Sequence, residues 1–226
     1  VHCRRSRADA DGTAADIAAL GARAEVFAAD LADSAECEAL VPAVLLRMGR
    51  LDAVVNNASL FEHDDVGGFT VAMMERHWRA NTAPPILLAR SLHEHLAARP
   101  EAAAGCVVNL LDQKLWNPNP DYFSYTLSKA ALEAATILLA QALAPRVRVC
   151  GVAPGVTLPS GPMTAPEFEV SHAMTPLQRS STPLDVARSV RFLLESPAIT
   201  GTTLLVDGGQ HLQPQPRDVL FLARKD

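Results

Sequence analysis

A chain of 226 residues that is 49 % hydrophobic and 20 % charged can bury one core, which excludes disordered, collagen-like and disulfide-scaffold classes. Its formal net charge of −5, with Lys and Arg scattered, excludes a basic stripe for nucleic-acid phosphates. No run of about 18 uncharged apolar residues occurs, and residues 1–7 are basic and polar with no apolar signal core behind them, so neither membrane spanning nor secretion is expected. Cys3, Cys37, Cys106 and Cys150 form no CxxC pair; no metal site is expected, and a reducing cytoplasm suits them.

In chain order, short apolar runs alternate with longer amphipathic ones, the pattern of a single α/β domain with a doubly wound parallel sheet. Strands are predicted over residues 1–3, 24–28, 51–56, 106–111, 147–152 and 203–206, several of them rich in Val and Leu, as strands covered on both faces are. Ser34 is placed to cap a helix that runs to Met48 and stops at Gly49. Thr70 caps a second that reaches the Asn81 region, with Pro84 and Pro85 bending or interrupting it. Ser181 or Thr182, followed by Pro183, opens another. The Pro-rich stretch 154–166 is long for a connection and reads as either a mobile lid or a disordered loop. The tail from Gln213 to Asp226 turns from polar to apolar (VLFLA) and is expected to dock on the subunit or a neighbour.

The chemistry concentrates in residues 109–129 (NLLDQKLWNPNPDYFSYTLSK), where Tyr125 and Lys129 stand one turn apart on one face of a predicted helix. A phenol titrates at about 10, and exchanging protons at neutral pH calls for a nearby cation that stabilises the phenolate. Lys129 is placed to be that cation. The same spacing also occurs on solvated helix faces, so alone it does not define a site.

Together with Asn56, Asn57 and Ala58 at a strand end, with Asn81, and with Pro154 and Gly155 late in the chain, this pair resembles the short-chain dehydrogenase/reductase family along the whole chain. The resemblance implies a Rossmann-like fold, a nicotinamide cofactor and a homotetramer. It implies that Tyr125 is the general acid or base, that Lys129 holds the nicotinamide ribose and depresses the tyrosine pKa, and that Asn81 supports a water relay. Asn57, Ala58, Pro154 and Gly155 take cofactor-contact positions, and Asp30 and Leu31 resemble the family's adenine contact. Arg4, Arg5 and Ser6 follow the first predicted strand, where they would face the adenosine ribose. Guanidinium and hydroxyl groups there favour a 2′-phosphate over a free 2′-hydroxyl, so the expected cofactor is NADP(H).

Where the family has a serine thirteen positions before its tyrosine, this chain has Asp112. A carboxyl suits a substrate with ring N–H groups and an imine-like nitrogen that needs a proton. Pteridine reductases and dihydromonapterin reductases, a branch of the same family, carry aspartate there. Ser59 and Phe61 resemble that branch's pattern, in which an aromatic ring stacks on the pterin, although Phe61 would also suit a core. Tyr122 matches the branch as well, and Val156 opens the loop, residues 156–163, expected to close over the substrate.

The expected function is NADPH-dependent reduction of a dihydropterin, of the dihydrobiopterin, dihydromonapterin or dihydrofolate type, with Asp112, Tyr125, Lys129 and Asn81 as the catalytic set. Two alternatives stay open: a reductase of another carbonyl, such as a 3-oxoacyl thioester, and a non-catalytic relative that binds or assembles. The family opens with a strand, a Gly-rich turn and a helix, and the first residues here read as its second strand. The domain is therefore expected to be N-terminally incomplete, with the absent strand belonging between residues 1–3 and 51–56.

Overall fold

The apolar runs become parallel strands in the computed structural model, which describes residues 1–99 and 103–224. They are β1 (His2–Cys3), β2 (Phe27–Ala28), β3 (Ala53–Asn56), β4 (Gly105–Leu110), β5 (Val147–Pro154) and β6 (Thr203–Val206). β1 pairs with β2, and β3, β4, β5 and β6 pair in that order in a second sheet. Residues 1, 24–26, 51–52 and 111, expected in strands, lie outside them, whereas β5 runs two residues further than predicted.

The helices are α1 (Arg7–Ala19), α2 (Ser34–Met48), α3 (Val71–His77), α4 (Ala83–Ala97), α5 (Phe123–Ala142), α6 (Ala165–Ala173), α7 (Pro183–Glu195) and α8 (Val219–Ala223). Asp33 rather than Ser34 caps α2, because its carboxylate reaches the N–H groups of Ala35 and Glu36; Gly49 in the left-handed conformation ends the helix. Thr70 caps α3 and Thr182 caps α7, the latter in a reciprocal box with Asp185. Pro84 and Pro85 lie in the first turn of α4, and the α-helix opened by Thr70 is interrupted just before them, as expected. Before them, Trp78–Thr82 form a π-helical turn.

Strand alternation sorts the core onto two faces. Val107 and Val149 pack against Leu92 and Leu96 of α4 and Ala140 of α5. Cys106, Val108, Cys150 and Val152 face the other way, onto Leu193 of α7. No strand among the described residues lies between β1 and β3; an apolar cavity of about 650 Å³ separates them, lined in part by Phe27, Leu31, Val41, Val54 and Leu88.

The tail docks on its own fold: α8 packs against α6, and Arg224 pairs with Glu167. Lys225 and Asp226, the end of that expected tail, lie outside the described residues. Among the described residues no helix is long and apolar enough to cross a membrane, and no cluster of His, Cys, Asp and Glu is arranged to hold a metal ion.

Candidate active site

The carboxyl ends of β3, β4 and β5 open onto a cavity of about 910 Å³, the position at which open α/β sheets bind ligands. A buried chain of amide and hydroxyl groups ties those ends to α5. Asn56 donates to Asn109 (2.8 Å), Asn109 donates to Thr136 (2.9 Å), and Thr136 donates to the Leu132 carbonyl (2.8 Å). Fully satisfied networks of this kind rigidify the elements they join. α5 is thereby fixed against the strand ends, and α5 carries Tyr125 and Lys129.

Asp112 follows β4 and caps a 3-10 turn (Gln113–Leu115), its Oδ1 accepting from the Lys114 N–H at 2.9 Å. That cap leaves Oδ2 to accept from the Tyr125 hydroxyl at 2.9 Å. Lys129 Nζ donates to the Leu110 carbonyl at 2.7 Å and lies 5.8 Å from the Tyr125 ring centroid. Asp112, Tyr125 and Lys129 thus line one wall of the cavity.

Burial sets the proton affinities here. It raises the Asp112 carboxyl above the usual carboxylate range, against the opposing pull of the Lys114 N–H and the Tyr125 hydroxyl. It pulls Lys129 down from 10.5 to about 8. The Tyr125 phenol is pushed well above 10, first by burial and then by the adjacent Asp112 carboxylate. Lys129 does not offset these effects in this arrangement: the Tyr125 hydroxyl donates to the Asp112 carboxyl, and one Lys129 N–H donates to the Leu110 carbonyl. Tyr125 stands in the site as a protonated acid.

Other expected residues divide by what they touch. Ser59, Phe61 and Val156 line the cavity, as do Pro154 and Gly155; a side chain at position 155 would collide with Ser180 Oγ and crowd Asp207. Asn57 lines both cavities, whereas Leu31 and Ala58 line only the one between β1 and β3. Arg4, Arg5, Ser6 and Asp30 line neither; the Asp30 carboxylate accepts from the Ala32 N–H.

Two residues differ from expectation. Tyr122 is 3 % exposed and lies behind Phe61, its ring stacked on the phenylalanine at 4.1 Å, so it supports the cavity wall without lining it. It holds a left-handed backbone (φ 53°) just before α5, packed by Phe61, His63, Phe221 and the Lys114 ammonium. The Asn81 side chain is fully used: it donates to the Leu60 carbonyl (2.9 Å) and Ser128 Oγ (3.0 Å), and accepts from the Leu60 N–H (2.6 Å). It clamps the 59–60 loop to α5 and does not line the cavity. π-helical turns recur at functional sites, and the one at Trp78–Thr82 brings Asn81 and Thr82 together onto Ser128.

Several contributors carry no local sequence signal. Asp64 accepts from both the N–H (2.9 Å) and the hydroxyl (2.5 Å) of Ser124, which holds the Phe61 loop to the first turn of α5. Lys114, buried at the cavity edge, donates to the Asp121 carbonyl at 2.6 Å and pairs with Asp218 at 3.5 Å. Arg217 pairs with the Asp121 carboxylate at 2.8 Å, so the C-terminal segment straps the cavity from outside. At the 156–163 loop, Thr157 bonds to Ser181 and the Val156 carbonyl to His172, so the base of the loop is pinned.

A family model described as enoyl-(acyl carrier protein) reductase matches residues 1–211. The chain belongs to the short-chain dehydrogenase/reductase family. This oxidoreductase is 42 % identical to FolM alternative dihydrofolate reductase 1 from Brucella suis, solved in complex with NADP, with a TM-score of 0.89 over 95 % of this chain and 85 % of that one. It is 31 % identical to pteridine reductase 1 of Leishmania tarentolae over 94 % of this chain and 87 % of the relative. It is 30 % identical to the 3-oxoacyl-[acyl-carrier-protein] reductase of Synechocystis sp. over 92 % and 85 %, respectively.

Proposed function

We propose that this short-chain dehydrogenase/reductase uses NADPH to reduce a dihydropterin, of the dihydrobiopterin, dihydromonapterin or dihydrofolate type. The observation that carries the reading is the Asp112 carboxyl bonded to the Tyr125 hydroxyl in the cavity wall. Reducing a ring C=N bond requires a proton at nitrogen and tolerates an acceptor facing ring N–H groups. Burial raises Asp112 toward the neutral form and keeps Tyr125 protonated, so the pair holds a transferable proton beside the substrate space. A ketone oxygen needs only a hydroxyl donor, which a serine already supplies.

The residues present fit an NADP molecule. Lys129 has two N–H donors beyond the one spent on Leu110, which suits ribose hydroxyls, with Asn57, Pro154 and Gly155 along the same cavity. Arg4 and Arg5 are exposed without side-chain partners among the described residues, and Ser6 precedes α1 without using its hydroxyl as a cap. These three groups suit a 2′-phosphate, and Leu31, Ala58 and the backbone near Asp30 suit the adenine end. When bound, the cofactor supplies the hydride. Phe61, stacked on Tyr122 and perpendicular to Tyr125 at 4.7 Å, lines the cavity where a flat heterocycle would lie; Asn81 and Ser59 keep that loop in place.

The 3-oxoacyl reductase relative supports a second reading, a carbonyl reductase in which Asp112 is incidental. Asp112→Ser separates the two. It is expected to lower dihydropterin turnover by about 100-fold or more while NADPH affinity changes by no more than about twofold; unchanged dihydropterin turnover would contradict the proposal. A homotetramer fits the outward face of α5, where Leu127, Ile137 and Leu138 are exposed. Four unpaired cysteines suit a reducing cytoplasm.

A further inference from the structure

A run of rings connects the C-terminal helix to the back of the substrate site. Phe61 stacks on Tyr122 at 4.1 Å, and Tyr122 stacks on Phe221 of α8 at 6.4 Å, with 29° between the planes. His63 sets its edge against both Tyr122 (5.0 Å) and Phe221 (5.3 Å). Phe221 is half-buried, and the guanidinium groups of Arg217 (4.7 Å) and Arg224 (5.8 Å) lie over its ring. Phe61 lines the larger cavity, whereas Phe221 lines neither cavity.

The segment that carries Phe221 is tied down on both sides of it. The Asp121 carboxylate, 3 % exposed, accepts from Arg217 Nε at 2.8 Å and from the Asp218 N–H at 2.7 Å. Asp218 caps α8 through the Leu220 N–H, Ser171 of α6 donates to the Val219 carbonyl at 3.3 Å, and Arg224 pairs with Glu167. The C-terminal segment thus grips two successive residues on the step into α5, Asp121 by charge and Tyr122 by packing. Tyr122 holds a left-handed backbone (φ 53°), a conformation that costs a bulky residue energy and persists only where the surroundings over-determine it. Its ring is surrounded by Phe61, His63, Phe221 and the Lys114 ammonium. Removing Phe221 takes away one of these supports and loosens the ring on which Phe61 rests.

We propose that Phe221 is a positioning residue: through Tyr122 it holds the Phe61 ring in place for a flat heterocycle, without itself touching substrate or cofactor. The inference rests on the dihydropterin reading above. It goes further by making the C-terminal helix a working part of the substrate site.

The test uses Phe221→Ala, which removes the ring, and Phe221→Tyr, which keeps it, in the full-length protein. Each is assayed with NADPH and 6,7-dimethyl-7,8-dihydropterin, a ring without a long substituent, and NADPH binding is measured by calorimetric titration. Phe221→Ala is expected to raise KM about fivefold while kcat and the NADPH Kd each change by less than about twofold, and Phe221→Tyr to keep KM within about twofold of the wild type. Residues that act through one another have effects that do not add, so in a Phe61→Ala background Phe221→Ala should raise KM by less than about twofold more. Should Phe221→Ala not fold, Phe221→Leu, which keeps apolar bulk without the ring, is held to the same KM criterion. An unchanged KM, losses in kcat and NADPH affinity as large as the loss in KM, or a full fivefold rise in the Phe61→Ala background would overturn the proposal while the dihydropterin function stands. Wild-type turnover of an acetoacetyl thioester and of no dihydropterin would overturn the functional reading first, and this proposal with it.

Discussion

Replacing Lys129 by Met should make the cofactor-free protein more stable and inactive. The ammonium is 3 % exposed and pulled down from 10.5 to about 8 by burial, a difference worth ~3 kcal/mol between its charged and neutral forms. Below pH 8 both folded and unfolded chains carry the proton, so the folded state bears the full penalty. Between pH 8 and 10.5 the folded lysine loses its proton while the unfolded one keeps it, and the penalty is relieved as pH rises. Methionine fills a similar volume without charge, but it leaves the Leu110 carbonyl without its 2.7 Å donor, a loss of about 1 kcal/mol. The net gain at pH 7 is ~2 kcal/mol, or about 4–8 °C in Tm for a domain of this size. Thermal melts of both proteins across pH 6.5–9.5, buffered without cofactor, measure it. The variant's advantage should be full near pH 7 and should shrink toward the alkaline end, while NADPH oxidation falls to background throughout. A variant less stable than wild type at pH 7, or an advantage independent of pH, would refute the reasoning.

Tyr125→Phe removes the donor to Asp112 and is expected to abolish turnover while calorimetric titration still shows NADPH binding; retained turnover would assign the proton elsewhere. Phe61→Ala removes the aromatic ring that lines the cavity and its contact with Tyr122, so KM for a dihydropterin should rise about tenfold, and more than for any aliphatic ketone. Equal effects on both substrate types would count against stacking. Asp64→Ala frees the first turn of α5 from the Phe61 loop and should cost about 2–3 kcal/mol in urea unfolding. A cost below about 0.5 kcal/mol would show that the two bonds are replaced by water.

Much of this fold was legible because the strands and capped helices announce themselves locally. Val-rich runs end at turn residues, and Thr70 and Thr182 precede helices with the expected chemistry. α1 was not legible: Gly12 and a run of alanines and aspartates give it no apolar stripe, and it forms on the surface with only Ala10 buried. α6 hides in a Pro-rich stretch, although Thr164 and Glu167 form a capping box that the spacing could have revealed. At the site, Asp112, Tyr125 and Lys129 share one segment, so fixed spacing brings them into view. Asp64 meets Ser124 from sixty residues away, and Gln210 meets the 113–115 turn from farther still, pairings that no local pattern encodes. The proton affinity of Tyr125 was not legible for a related reason. Spacing places Lys129 near it, but burial and the neighbouring Asp112 carboxyl, which are tertiary, push the phenol up.

The most direct test of the account is NADPH oxidation by the full-length enzyme, with a 7,8-dihydropterin and a 3-oxoacyl thioester offered separately at equal concentration. The account predicts a kcat/KM for the dihydropterin at least about 100-fold above that for the thioester, well within the roughly 10⁴–10⁵ that a hydrogen-bonding site reaches against a ligand lacking the matching groups. Equal or higher kcat/KM for the thioester would contradict it, and would leave Asp112 as an incidental neighbour of Tyr125.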